Sequence, residues 1–555
     1  MALLSVIVMI HSSRQGSATA RVVTALAAIG FVLAATPGLA DTLTVETSAD
    51  VIADDGDCSL REAIINANNG DQSGSTDCLS GTGPADGVSD TIAFSPSLDG
   101  NPIVLSIGGA GENDALTGDL DVSDALRIEG RGPGQTIIDA NGLDRVLEVR
   151  DDEAALTTMS LQLNGLTLRN GAVEDWGGGI YSRGASTSLL LENCFIESNN
   201  AAPVTDSALG GGVATEGPTV ITNSRLADNL ASAAGASTAA GGGIAANNNL
   251  LVRSTVISGN RAESETGETR GGGVLSTPGG GPLLIEDSVL RDNEIEGGEA
   301  LGGGIFAQDL PGILGQAAII QSEISGNSVV APGGISAGGG LFLQSPGTIT
   351  VGNATFTGNT VGAGVSAAAA GGAIANDDMN LTVGNATVSE NSVDAGPDAE
   401  GGGIYFESAT ASTTLANSII AGNTASGDGA PDCRGPFDSI GHNLLGSNAG
   451  CPGWSPGSND IIGDVAGGGM AVDPMLDPLA DNGGDTRTMA LTSGSPAIDA
   501  GNPSSSGPAT ELCSEVDQRN INRPFDGDDD ETAVCDIGAF ELAPDAVFQD
   551  RFESD

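Results

Sequence analysis

Gly241-Gly-Gly-Ile-Ala-Ala-Asn-Asn-Asn-Leu-Leu-Val-Arg-Ser-Thr-Val-Ile-Ser-Gly-Asn260 is the stretch that decides the fold, because variants of it recur down the middle of the chain. Kindred glycine-rich tetrapeptides begin at positions 177, 210, 241, 271, 302, 338, 371 and 401, and each is followed by an apolar residue three positions before an Asn. The marker asparagines are Asn199, Asn229, Asn260, Asn293, Asn327, Asn359, Asn391 and Asn423, and their seven spacings average 32 residues. A repeat of this length, made of short apolar runs and turns, specifies a solenoid whose units bury their apolar faces only by stacking.

Read backwards from each marker, the residue three before is apolar: Ile196, Leu226, Ile257, Leu290, Ile324, Phe356, Val388 and Ile420. The residue five before is small: Cys194, Ser224, Thr255, Ser288, Ser322, Ala354, Ala386 and Ser418. Flanking positions such as Glu197, Arg225, Arg291, Glu323 and Ser389 are polar, which is the period of two of a strand with one buried face. Six before the marker runs a further polar column, Asn193, Asn223, Ser254, Asp287, Gln321, Asn353, Asn385 and Asn417. Stacked at the strand spacing of ~4.8 Å, polar columns let side-chain amides hydrogen-bond along the stack, and the marker asparagines are expected to form a structural ladder.

From the first glycine to the marker Asn runs 19 to 25 residues, and 8 to 11 residues lie between that Asn and the next glycine. The spacing predicts three short strands per coil and one longer loop that always leaves the same corner, as in Ala231 to Ala240 and Ala262 to Arg270. The glycines fit a tight corner that needs positive φ or close backbone approach. The fold expected is all-β: a right-handed parallel β-helix, its hand taken by analogy with the common form, with a short N-terminal capping helix and a disulfide-bearing C-terminal module.

Composition agrees with one repetitive body: 85 of 555 residues are Gly. The chain carries 73 acidic residues against 19 basic ones, all Arg, for a net charge of −54, so nucleic acid and anionic membrane surfaces are not expected partners. Residues 1–40 have the pattern of an export signal: Arg14 and Arg21 precede an apolar run from Val22 to Ala35, and Pro37-Gly-Leu-Ala40 offers a cleavage site before Asp41. No later stretch is apolar enough for a transmembrane helix. The expected destination is the extracellular or outer-membrane surface of a Gram-negative bacterium. Six of the seven cysteines fall in close pairs, Cys58 with Cys78, Cys433 with Cys451 and Cys513 with Cys535, which suggests three local disulfides, though six cysteines permit other connectivities. Cys194 is left over in the small inward column, as a buried thiol.

Ahead of the repeats, Cys58-Ser-Leu-Arg-Glu-Ala-Ile64 reads as the start of a short amphipathic helix, with capping-box spacing at Ser59 and Glu62 and a stop at Asn69-Gly70. It suits the cover that an open solenoid end needs. These seven residues resemble the CSLREA module found at the start of secreted bacterial β-helix proteins. Asp473-Pro-Met-Leu-Asp-Pro-Leu-Ala-Asp-Asn-Gly-Gly484, Gly494-Ser-Pro-Ala-Ile-Asp-Ala-Gly501, Asp517-Gln-Arg519, Arg523-Pro524 and Cys535-Asp-Ile-Gly-Ala-Phe-Glu541 resemble the choice-of-anchor Q region of that group. The resemblance implies attachment to an envelope and no particular activity. The repeats are also similar to those of chlamydial polymorphic outer-membrane adhesins. Val547-Phe-Gln-Asp-Arg-Phe-Glu553 resembles the short tails of some exported proteobacterial proteins, with Arg551 in place of Gly. The organisation expected is a signal peptide (1–40), a cap with first irregular coils (41–150), repeats (151–445), a C-terminal module (446–542) and a tail (543–555).

Chemistry is sparse. Beyond residue 40 the only His is His442, in a Gly-His-Asn-Leu-Leu turn, so no His-based triad or His-ligated zinc site can be assembled. Asp377 and Asp378 are adjacent, and neighbouring strand residues face opposite ways, which argues against a hydrolytic pair. With two Trp and two Tyr, the chain lacks the aromatic track of a glycan groove; Trp176, Tyr181 and Tyr405 all lie beside glycine markers. No catalytic residue is assigned and no cofactor is required. Calcium is the candidate ion: Asp526, Asp528 and Asp530 occupy positions 1, 3 and 5 of a calcium-type loop, although Glu531 stands where its Gly belongs, and Asp54, Asp55 and Asp57 form a second acidic cluster. The sequence favours an adhesin-like or structural solenoid that presents loops to a surface or matrix ligand, either polysaccharide or host protein. The alternative is a carbohydrate-active enzyme, lyase or glycoside hydrolase, acting on an acidic polysaccharide.

Overall fold

The computed structural model describes residues 42–82, 89–150, 159–277, 281–310, 317–363, 368–408, 410–426, 430–451, 454, 456–503, 513–527 and 530–543. Residues 1–40, where an export signal is expected, and 544–555 of the expected tail therefore lie outside the described residues, and all that follows concerns the unit spanning 36–555. Its strands form a parallel β-solenoid. One coil, starting from the marker glycines at 210–212, places Val213–Thr215 in a first wall, Thr219–Thr222 in a second and Arg225–Ala227 in a third. Each strand pairs in parallel with its counterpart one coil on, Val213 with Ile244, Ile221 with Val252 and Leu226 with Ile257. The three walls hold 11, 13 and 13 strands. Their inward residues, among them Ile244, Val252 and Ile257 in the coil quoted first, are fully buried in one continuous core. Each such side chain contributes roughly 1.5–3 kcal/mol by leaving water.

Corners are made by left-handed backbone at three fixed places per coil. In the quoted coil these are Gly241 (φ 62°), Ser254 (φ 47°) and Gly259 (φ 65°). The polar column at Asn193, Asn223, Ser254, Asp287, Gln321, Asn353, Asn385 and Asn417 is therefore a backbone requirement, since every member has positive φ, and Asn and Asp tolerate that region better than other non-glycine residues. The remaining glycines answer close approach. A Cβ on Gly242 would sit 2.5 Å from the Gly272 carbonyl oxygen of the next coil, and one on Gly243 would sit 3.1 Å from the Asn260 amide nitrogen.

The structure corrects one expectation. The longer loops between marker Asn and glycine are not free loops: each coil from the one marked by Asn199 to the one marked by Asn391 adds two more strands there, such as Leu230–Ala233 and Ala239–Ala240, giving five strands per coil. They stack into two further parallel sheets of 9 and 7 strands, which we call the flange. Alternation of small apolar residues supplies the reason. Ala231, Ala233, Ala239, Ala262, Ile295, Val329 and Val361 face one another in a core separate from that of the walls.

The N-terminal end and the outer face of the third wall are covered. Helix α1 (Leu60–Asn69) has a complete capping box, Ser59 with Glu62, and stops at left-handed Gly70 (φ 64°). The described residues from 473 to 543 leave the winding, and Thr486, Arg487, Gln518 and Gly538 among them lie against the outer face of the third wall. Glu323, a wall position expected to be solvent-facing, is buried there and pairs with Arg487. Thr486 donates to Gln321 O, Thr355 donates to Gln518 Oε1, and Gly538 N–H donates to Asn417 O.

Candidate functional site

Most residues singled out from the sequence serve the stack. The marker asparagines form an unbroken amide ladder. Asn327 Nδ2 donates to Asn359 Oδ1 (2.9 Å) and to Leu290 O (3.0 Å), while its own Oδ1 accepts the backbone and side-chain N–H of Asn293. The pattern runs from Asn199 to Asn423, where Asp432 takes the next amide's place and accepts from Asn423 Nδ2 at 3.0 Å. Burial pushes the Asp432 carboxyl up to about 6, against the pull of the Asn423 donors. A second ladder, not apparent from the sequence, runs through the small column: Ser224 N donates to Thr255 Oγ1, Thr255 N to Ser288 Oγ and Ser288 N to Ser322 Oγ. Disulfides join Cys58 to Cys78, Cys433 to Cys451 and Cys513 to Cys535. Cys194 is buried, which raises its thiol to about 11.

The chemical candidates from the sequence are occupied in local structure. Asp526 uses its carboxylate to accept the N–H groups of Asp530 and Glu531, and Asp528 lies outside the described residues. Asp54 accepts from the backbone and hydroxyl of Thr76, which lowers its pKa. Asp378 accepts from Ser408 and Thr410 and is lowered by them, whereas burial raises Asp377. His442 Nδ1 lies 2.9 Å from Ala500 O and Nε2 lies 3.2 Å from Asn459 Nδ2, so the ring ties the last coil to the C-terminal segment.

A different group converges at the N-terminal end, on the outer face of the first wall. Asp119 and Asp121 flank inward Leu120, and the period of two puts both acids on one side. Leu120–Val122 pairs in register with Leu147–Arg150, which sets Asp121 opposite Glu148, and the next rung sets Tyr181 opposite Glu148. One carboxylate oxygen from each of Asp119, Asp121 and Glu148 lies within 4.8 Å of the others, the one such trio of ligand-type groups among the described residues. They are 3%, 0% and 5% exposed.

Helix α1 fixes this strand. Arg61, itself paired with Asp50, donates to the carbonyls of Ala115, Gly118 and Asp119, and Asn68 donates to Asp121 O. Arg145 Nε lies 2.7 Å from Asp119 Oδ2 as an ion pair without hydrogen-bond alignment. Glu148 is approached by Arg145 (3.6 Å), Arg150 (3.4 Å) and Arg183 (3.8 Å). Asp121 Oδ2 accepts from Ala115 N, but its Oδ1 has no partner. Burial raises Asp119 to about 8, with the Asp121 charge adding to it and Arg145 opposing. Burial raises Asp121 to about 7, with Ala115 N–H opposing. Tyr181, pushed up to about 12 by burial, donates to Glu216 and meets Trp176 edge-on. Such an arrangement can hold a hard cation or share a proton between Asp119 and Asp121. Its sequence signal was the Asp-Leu-Asp alternation at 119–121, hidden because the partner Glu148 comes from the next coil.

No family model matches the chain, and no curated protein matches it, so the CSLREA and choice-of-anchor Q resemblance rests on the residues quoted above. Among solved structures, the A-module of mannuronan C-5 epimerase AlgE6 from Azotobacter vinelandii is similar at 14% identity and a TM-score of 0.33, over 67% of this chain and 91% of that chain.

Proposed function

We propose that this protein is an exported, non-catalytic β-solenoid of the bacterial surface or exterior, adhesin-like or structural, that binds through the edge and outer face of its flange. The observation that carries this reading is where the convergent chemistry lies. Asp119, Asp121 and Glu148 are at most 5% exposed, out of reach of a polymer chain, whereas the repeated coils devote their columns to stacking. The flange turns around Glu265, Glu268 and Glu299 line an open depression of about 580 Å³ with an acidic rim, suited to a cationic or cation-bridged ligand. Three disulfides support an oxidising compartment, in keeping with the leader-like residues 1–40. The CSLREA-like and choice-of-anchor-like blocks support membership of the envelope-attached β-helix group they resemble.

The second reading, an enzyme acting on acidic polysaccharide, is favoured by one feature: Arg150, Arg183 and Tyr181 gather beside Glu148, and Arg183 is partly exposed, so a polyuronate carboxylate would meet cations there despite the lack of Lys. A screen of the disulfide-intact chain from Asp41 against polysaccharide and host-matrix arrays tests both. Retention without product release is the expected result. Released oligosaccharides that vanish in Arg183→Ala would replace the scaffold reading with the enzymatic one.

A further inference from the structure

We infer that Asp119, Asp121 and Glu148 form a binding site for a divalent cation of the calcium type, which fastens the first wall of the solenoid to its capping helix. Calcium takes oxygen ligands at roughly 2.3–2.6 Å, so oxygens on opposite sides of the ion stand up to about 5 Å apart. The three carboxylates, with oxygens within 4.8 Å of one another, match that span. A second observation points to a ligand independently of the clustering. Asp121 is fully buried, yet its Oδ1 meets no hydrogen-bond donor, while its Oδ2 accepts only from Ala115 N–H.

A buried carboxylate left in this state is costly, by about 1–3 kcal/mol or more for a charged group, unless a cation or proton joins it. The surrounding arginines pair with Asp119 and Glu148 and leave Asp121 without a close cation. Arg145 pairs with Asp119 and reaches Glu148, and Arg150 and Arg183 turn to Glu148, so Asp121 has no ion pair within 4.0 Å among the described residues. Asp144, which burial also raises, adds negative charge on the same side.

Occupancy couples to the cap through the backbone. The carbonyl of Asp119 accepts from Arg61 and that of Asp121 accepts from Asn68, both on helix α1. An ion bound to these side chains therefore holds the strand in the one position that satisfies the helix. This site is separate from Asp526 and Asp530, about four hundred residues along the chain.

The test uses the full chain, stripped with EDTA and titrated with calcium chloride alone. The parent is expected to melt at higher temperature with calcium than without, and the isosteric Asp121→Asn variant is expected to bind roughly tenfold more weakly or worse and to lose that shift. In EDTA, Asp121→Asn is expected to match or exceed the parent in stability, because it removes an unpartnered buried charge; a residue with only a packing role would give the opposite sign. Terbium provides a readout that does not depend on that variant folding. Trp176 touches Tyr181, which adjoins Glu148, so terbium emission excited through tryptophan should appear in the parent and fall in Trp176→Phe. The inference is overturned by a parent whose melting ignores calcium, by an Asp121→Asn variant with the parent's calcium shift, or by terbium emission unchanged in Trp176→Phe.

Discussion

Walls and flange are wound from the same coils, share the same stacking, and yet pack on different scales. The walls enclose Ile, Leu, Val and Phe, as at Ile324 and Phe356, which hold three sheets apart around a broad core. The flange closes on Ala and Val, as at Ala231, Ala262 and Val329, and two sheets face one another across small side chains. Between them, at the neck, stand the marker asparagines, against which the third glycine of most corners is pressed: a Cβ on Gly304 would lie 3.1 Å from the Asn327 amide. Side-chain volume thus sets how far apart two sheets of one solenoid lie, and a buried amide ladder marks the boundary between the two cores.

That contrast can be broken at graded cost. Ile324→Ala empties a fully buried wall position and is expected to destabilise by about 3 kcal/mol, read by urea unfolding with hydrogen exchange concentrated in the neighbouring coils. Asn327→Ala cuts the ladder, takes the acceptor from the buried Asn293 N–H and leaves Asn293 Nδ2 with Ile257 O alone, for about 2–3 kcal/mol. If exchange in Asn327→Ala spreads equally into walls and flange, the neck joins them as one cooperative unit; loss confined to the flange would show two.

Gly242→Ala brings a Cβ to 2.5 Å from the Gly272 oxygen and is expected to cost roughly 1–3 kcal/mol by overpacking, with a melting shift to match. Val329→Ala, in the flange, should cost only about 1 kcal/mol, because its surroundings are already small; a loss equal to that of Ile324→Ala would contradict the division into two scales. The last effect is electrostatic. The Asp432 carboxyl, raised by burial to about 6 from its ordinary 3.8, favours the protonated form in the folded state. Its contribution is present below the ordinary value and lost as pH rises from about 4 through about 6. Asp432→Asn continues the amide ladder and should flatten that part of the stability profile, as followed by melting at stepped pH.

How legible was all this? The walls could be read because their period of two and their marker columns repeat eight times, so each column is its own check. The capping box of α1 could be read because Ser59 and Glu62 are local. The flange reads as loops in the sequence because its strands are two to four residues long and rich in Ala, a residue with weak strand preference, so only stacking on neighbours makes them strands. The hydroxyl ladder was visible only as smallness. The burial of Glu323 could not be foreseen at all, since Arg487 lies 164 residues away.

The sequence by itself determined the solenoid, its pitch of one coil per repeat, its three walls and the amide ladder, because a stacked fold writes every buried contact into a column at fixed spacing. Only the tertiary structure decided that the Ala-rich segments form a second core, that the C-terminal segment lies back along the third wall, and that Asp119 and Asp121 meet Glu148. Those contacts join residues that do not repeat and are far apart in the chain, so no periodicity records them; they exist because winding brings one coil's outer face beneath another segment.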